Sequence, residues 1–439
     1  MSERYPRRQR NSRENNLGIK SRIGIIAGAV AVMVFGDMPA YSQAEQGVHA
    51  LAASRKARAA RKAAATVRLA ASSDEPQFGD PLPGLTAQEL DSFADGLEEF
   101  QNEDTIESGL GPAFNDVSCA ACHSVPAIGG TSTKFVTRFG RYYNGEYDDM
   151  AKYGGSLLQS QAIHPGALES VPEEATIVAI RRTTPLFGLG LIEAIPDATI
   201  IANAETQKRS EVGGRAAMIT DVASGTTRVG RFGWKAQQAT LLAFAGDAYV
   251  NEMGITNRFF PSENAPNGSM ETLRRFDTVA DPEDEVDPAT GRSDIDSFAD
   301  FMRLLGAPPP VALNADAQAG QQLFAQVGCT SCHIPVLQTG ESPIAALSRK
   351  PVPLYSDLLL HRMGSLSDGI GQADASPEEM KTAPLWGLRA QSSYLHDGRA
   401  KTVNDAIRLH DGEAAAARQR YVRLPQQARA QLIAFLNSI

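Results

Sequence analysis

The four cysteines of this 439-residue chain all stand in two C-x-x-C-H runs: Cys119-Ala120-Ala121-Cys122-His123 and Cys329-Thr330-Ser331-Cys332-His333. No other feature constrains the fold as much. Two thiols at i and i+3 can bond to the two vinyl groups of one porphyrin, and the histidine that follows reaches its iron. The pattern predicts two covalently bound haem c groups. Cys119, Cys122, Cys329 and Cys332 would be the anchors, and His123 and His333 the proximal ligands. Three alternatives use the same thiols. A four-thiolate zinc site gives no reason for a histidine after both pairs. A thioredoxin-like dithiol ignores that histidine too, and a disulfide between such close cysteines closes only a tiny loop.

The chain opens with seven basic residues in its first 22, followed by an uncharged run from Ile23 to Phe35. That run is shorter than the roughly 20 residues a membrane-spanning helix needs, and it suits a signal-peptide core. Small residues at Ser42-Gln43-Ala44 predict cleavage after Ala44, hence export to the periplasm and no stable membrane span in the mature protein. Residues 45–75 read as an Ala/Arg/Lys-rich tether. Of 42 Lys+Arg and 51 Asp+Glu, the first 72 residues hold 13 and 4, which leaves 29 against 47. A body near −18 argues against nucleic acid and for a basic or dipolar redox partner.

The remaining sequence repeats itself. Thr86-Ala87-Gln88-Glu89 is a capping box ahead of an amphipathic helix carrying Leu90, Phe93, Leu97 and Phe100; Asn314 caps its counterpart with Leu323, Phe324 and Val327. Each helix runs into a C-x-x-C-H. Pro185-Leu186-Phe187-Gly188-Leu189 is echoed by Pro384-Leu385-Trp386-Gly387-Leu388. Apolar helices around Phe298–Leu305 and Leu432–Leu436 close the two copies. The expected fold is mainly α, with two tandem cytochrome c-like domains: residues 76–307, enlarged by an insertion, and residues 308–439.

A low-spin haem needs a second axial ligand. In the second copy, Thr402 caps a short helix that ends at Leu409-His410-Asp411-Gly412, which makes His410 the candidate. Aligning Asp397 with Asp197 puts His410 opposite Ser210, so the first copy lacks a ligand there. His164 and Met218 are the candidates from elsewhere in the chain.

The runs Leu110-Gly111-Pro112-Ala113-Phe114-Asn115, 185–196, Gly230–Ala236 and Gly254-Ile255-Thr256-Asn257 resemble the di-haem oxidoreductase family. His396-Asp397-Gly398-x-Ala-x-Thr402 is also similar to bacterial di-haem cytochrome c peroxidases, whose distal ligand falls where His410 stands. The resemblance implies that electrons from a small carrier, a cytochrome or cupredoxin, enter at the C-terminal haem, and that hydrogen peroxide is reduced at the N-terminal one. It does not support that family's inter-domain calcium site, because Gln391 and Ser393 occupy the matching positions. The acidic loop 281–287 is the remaining calcium candidate, with a solvated loop as the plainer reading. Cleaving O–O requires a proton shuttle and a cation. Glu193, in an apolar setting, is the candidate shuttle, with a structural carboxylate paired to Arg181 or Arg182 as the alternative, and Arg182 or Arg181 is the candidate charge. Trp234 and Trp386 are either relays or packing. His396 is expected to orient a propionate or its own loop, and His361 to lie at the surface or face a propionate. Two other functions use the same residues: a non-catalytic electron-transfer protein, and an oxidase of a protein or organic substrate. The sequence leaves oligomeric state open.

Overall fold

The computed structural model describes residues 76–208 and 212–439. The expected signal segment, the tether and Ser210 lie outside the described residues.

The helices are α1 (Ala87–Gln101), α2 (Leu189–Glu193), α3 (Asp197–Gln207), α4 (Leu241–Ala248), α5 (Met270–Phe276), α6 (Asp294–Leu304), α7 (Ala315–Val327), α8 (Val403–Leu409), α9 (Ala415–Arg423) and α10 (Gln426–Leu436). Short antiparallel strands fill the intervals. β1 (Phe135–Tyr143) pairs with β2 (Ile177–Arg182), and β3 (Ala217–Asp221) forms a hairpin with β4 (Thr226–Gly230). With 36% helix and 16% strand, the architecture is mixed, which corrects the expectation of a mainly α fold. The longest strands arise in the stretch between the first C-x-x-C-H and α4, with short pairs such as Leu360–Arg362 and Glu379–Lys381 in the C-terminal half. In that stretch, runs such as Phe135-Val136-Thr137 and Ile177-Val178 favour the pleated conformation.

Both C-x-x-C-H motifs are held by the same device. The Thr86 hydroxyl accepts from Glu89 N at 3.3 Å and Glu89 Oε2 accepts from Thr86 N at 2.7 Å, which starts α1; Asn314 Oδ1 accepts from Ala317 N at 2.9 Å, which starts α7. α1 packs on α6, and α7 on α10. At each crossing a glycine lets backbones meet. An added Cβ would lie 2.4 Å from Ser297 O at Gly96 and 2.0 Å from Gln431 O at Gly320. One turn after each glycine, a phenylalanine lies against the proximal histidine. The ring centroids are 6.0 Å apart for Phe100 and His123, and 6.4 Å for Phe324 and His333. Gly320→Val must push α10 away and is expected to cost about 1–3 kcal/mol, the usual penalty for overpacking. A denaturant midpoint equal to wild type would refute this account of the crossing.

The smaller apolar cluster contains Phe324, Leu432, Phe435 and Leu436. The larger one, around Phe93, Phe298 and Phe301, does not stop at Pro308. It includes Leu337, Leu347, Leu354, Leu358 and Trp386 from the C-terminal half.

Candidate functional site

Each C-x-x-C-H begins in a tight turn, Cys119–Ala121 or Cys329–Ser331. The histidine N–H donates to the first cysteine's carbonyl, at 3.1 Å for His123 and 2.9 Å for His333. All four thiols are free. Burial pushes those of Cys122 and Cys329 up to about 12, so they are neutral. No cluster of three or more metal-ligating groups joins the two pairs among the described residues, which removes the four-thiolate zinc alternative.

The proximal imidazoles are oriented identically. His123 Nδ1 donates to Gly130 O at 3.1 Å, and His333 Nδ1 to Tyr355 O at 2.9 Å. The preceding carbonyl in each case accepts from the covering loop: Gly129 O from Leu186 N at 2.8 Å, and Leu354 O from Leu385 N at 3.0 Å. The loop then turns through Gly188 or Gly387, both at φ 72°, a left-handed conformation that favours glycine. Burial lowers both histidines to about 4. They are therefore neutral; in His333 Nδ1 carries the proton and leaves the Nε2 lone pair for a metal, while the His123 ring also has a hydrogen bond to the Thr184 backbone.

His410 faces His333. Their ring centroids are 6.5 Å apart, and His410 Nδ1 donates to Ala406 O at 2.7 Å. With metal–imidazole bonds of about 2.0–2.1 Å, two imidazoles on one iron stand roughly 6.3 Å apart between centroids. The gap therefore has the width of one axially ligated iron. Both histidines line a cavity of about 840 Å³, together with Cys329 and Cys332. Three buried Arg and Lys side chains, Arg182, Arg231 and Lys381, line it as well. Arg231 pairs with Asp197, whereas Arg182 and Lys381 make no ion pair among the described residues and Arg182 Nε has no hydrogen-bond partner. Burial holds Lys381 down at about 8 despite nearby Asp357, and it also lowers Arg182. Unpaired cations in an apolar cleft fit a dianionic porphyrin, whose carboxylates supply the missing counter-charges.

The cavity extends into the N-terminal half, where Leu189, Phe232 and Phe244 line it, although its lining stops short of His123. Here the internal repeat takes a different register from the expected one. Isolated bridges join Phe232 to Gln238 and Tyr394 to Ala400. Thr240 accepts from Ala243 N at 3.2 Å to cap α4, as Thr402 accepts from Asp405 N at 3.0 Å to cap α8. The offsets 394 − 232, 400 − 238 and 402 − 240 are all 162. His410 therefore corresponds to Ala248. The β3–β4 hairpin intervenes between α3 and this segment, which is why the Asp197 alignment misplaced the counterpart. The same offset makes Trp234 the counterpart of His396, and their rings meet edge to face at 6.3 Å. Trp234 Nε1 donates to Arg182 O, and Arg182 N to His396 O, so this contact is tied to the cavity wall. Trp386 packs on Gly188 instead, where an added Cβ would lie 2.8 Å from its ring.

Several expected roles are corrected. Glu193 Oε1 accepts from Leu241 N at 2.7 Å and Oε2 from Arg303 Nε at 2.7 Å, so both oxygens are engaged and Glu193 does not line the cavity. Arg181 is committed to Asp368 at 2.7 Å. His164 is exposed, stacks on Phe276 at 4.6 Å and accepts from Gly166 N. Met218 is 46% exposed on β3. In the acidic loop, Asp284 caps α6 through Ser293 Oγ and Asp294 N. Glu263, Asp281 and Glu283 gather nearby. Burial and those neighbours push Glu263 up to about 10, so this carboxyl carries its own proton.

His361 is buried, not superficial. Nε2 lies 3.0 Å from Asp357 Oδ2 and Nδ1 2.7 Å from Glu413 Oε2, with Cys332 Sγ at 3.9 Å. Burial opposes its charge, but hydrogen bonds to Asp357, Cys332 and Glu413 prevail and raise it to about 12. The folded state thus keeps a proton that the unfolded imidazole releases near 6.5. The resulting stabilisation is complete below that pH and drains away as pH rises towards 12. His361→Gln should flatten the alkaline limb of a stability–pH curve; an unchanged limb would refute the assignment.

A buried polar group that sequence reasoning missed follows α4. Asp247 and Glu252 flank the end of that helix, and the charge of Arg138, on β1, acts on both. Burial raises both carboxyls while Arg138 opposes the shift. Burial also lowers Arg138 to about 10, leaving it charged at neutral pH, and its Nε has no partner. Asn115 Nδ2 donates to Glu252 Oε2 at 2.8 Å. Burial, then the charges of Asp116 and Glu252, raises the Cys122 thiol.

The family model described as "Di-haem oxidoreductase, putative peroxidase" matches residues 161–439. The chain belongs to this family. Membership makes it a di-haem, peroxidase-like oxidoreductase. Solved structures with a similar chain course include hydrazine synthase from Kuenenia stuttgartiensis (16% identity, 84% of this chain and 96% of that chain, TM-score 0.39). A MauG-like protein associated with microbial copper homeostasis is 15% identical over 84% and 94% of the two chains, with TM-score 0.36. The diheme peroxidase BthA from Burkholderia thailandensis is 14% identical over 79% and 85%, with TM-score 0.35. No curated protein matches the di-haem oxidoreductase chain. No helix among its described residues is long and apolar enough to cross a membrane.

Proposed function

We propose that this chain is a periplasmic di-haem c-type peroxidase with two tandem cytochrome c-like units, in which the His333/His410 site collects electrons and the His123 site reduces hydrogen peroxide. One observation carries this reading: His410 stands opposite His333, whereas the equivalent place in the first half is Ala248. Bound haem supplies one-electron redox chemistry at each site. The residues around the first site supply the rest. Reducing one peroxide to two waters takes two electrons and two protons. Glu252, whose carboxyl burial makes less acidic, can pass a proton to the departing oxygen and take one up from the incoming peroxide, with Asp247 as a reserve carboxyl. The Arg138 guanidinium is the cation for charge that develops as O–O breaks. The apolar residues Leu189, Phe232 and Phe244 keep bulk water out.

EPR of the holoprotein tests this. One low-spin and one high-spin ferric signal are expected, oxidised or after one-electron reduction, and the high-spin signal should respond to peroxide. Two permanently low-spin haems indifferent to peroxide would leave an electron-transfer protein.

A further inference from the structure

The body of this chain is acidic, but the ground around the second axial histidine is not. From Ala414 to the C-terminus the sequence has four arginines and neither Asp nor Glu. Three of them, Arg418, Arg420 and Arg423, lie on α9, which packs against α8 with Arg408 in its last turn. Arg418 and Arg420 line the mouth of the cavity that contains His410, where the wall is the run Ala414-Ala415-Ala416-Ala417. Small side chains there leave the enclosed group close to the surface.

The neighbouring acids are all engaged. Asp405 accepts from Thr402 Oγ1 at 2.7 Å, Asp411 pairs with Arg418 at 3.3 Å, and Glu413 holds His361. Arg408 and Arg423 are exposed and make no ion pair among the described residues. Each helix also exposes an apolar side chain, Leu409 at 38% and Val422 at 41%. Apolar ground with a charged rim, adjoining a redox centre, is what a short-lived protein contact needs.

We propose that the α8–α9 surface docks an acidic electron-carrier protein that exchanges single electrons with the His333/His410 site. The assignment reverses the basic partner that net charge alone suggests. Net charge sets the distant field, but at an ionic strength of about 0.1 M charges are screened beyond about 10 Å, so a docking protein feels the local arginines. The proposal rests on the electron-collecting role given to this site, not on peroxide chemistry at the other.

The test is stopped-flow oxidation of the dithionite-reduced holoprotein by two protein probes. One is oxidised plastocyanin of the acidic type, the other basic ferricytochrome c, and each accepts one electron. Plastocyanin should react at least about tenfold faster at 0.1 M salt and slow between about 0.1 and 0.5 M. The double variant Arg408→Glu/Arg423→Glu should cancel that preference with the haem spectrum unchanged. Faster reaction with ferricytochrome c, or a plastocyanin rate indifferent to charge reversal, overturns the proposal. Because the assay reads electron exchange alone, a protein inert to peroxide that still prefers plastocyanin would sink the peroxidase reading and keep this surface.

Discussion

Replacing His410 with alanine converts one of the two haems wholly from low-spin to high-spin. The expectation follows from three features acting together. The 6.5 Å between the His333 and His410 rings suits two nitrogens on one iron. The Ala406 carbonyl fixes the His410 tautomer so that Nε2 is the free nitrogen. Burial keeps the ring neutral. An alanine leaves no side chain able to take over among the nearby cavity-lining residues of α8, which are Val403, Ala406 and Ile407. The change should appear in EPR and in the visible spectrum, with haem content still at two per chain. A low-spin signal of undiminished intensity would show that His410 is not a ligand. A variant retaining the second imidazole's strength, as in wild type, should keep that haem at low potential, since Met/His ligation is the arrangement that raises it.

Glu252→Gln should lower peroxide turnover by about 10²- to 10⁴-fold, the usual contribution of a positioned proton donor. The substitution keeps the size of the side chain and its bond from Asn115, so haem content and the resting spectrum should stay as in wild type. It removes the exchangeable proton. Because burial raises Glu252, the wild-type rate should fall as pH climbs through its folded pKa, and the glutamine variant should lose that limb. Arg138→Lys keeps a charge but not the guanidinium geometry, and it should give an intermediate loss. A glutamine variant within threefold of wild type would shift the proton role to Asp247.

What the sequence revealed depended on how local the information was. The residues expected to anchor each porphyrin and meet its iron sit within five consecutive positions, so their spacing alone carries that expectation. His410 was singled out because a cap, a short helix and a histidine follow one another in order, and the folded chain sets it opposite His333. The first half was expected to lack a ligand opposite Ser210, which lies outside the described residues; the paired offsets put Ala248 at the equivalent place instead. A hairpin inserted ahead of α4 shifts the register, and only the paired bridges at Phe232 and Tyr394 reveal it. Glu193 shows the opposite failure. Its apolar neighbours suggested either a proton shuttle or a structural carboxylate paired with Arg181 or Arg182, yet its partners Leu241 and Arg303 are 48 and 110 positions away. His361 likewise takes one of its clamps, Glu413, from 52 positions on. Asp247 and Glu252 left a faint trace, two acids five apart in the apolar run that ends α4. Their link to Arg138, on a distant strand, exists only in the folded chain.

The apolar cluster around Phe93 and Phe301 takes Leu354, Leu358 and Trp386 from the later half of the polypeptide. During synthesis, the earlier half must wait for those residues before it can close. In that interval the thiols of Cys119 and Cys122 stay more open than they are in the finished fold. Any reaction that must reach them thus has a natural deadline, set by arrival of the chain's own final third.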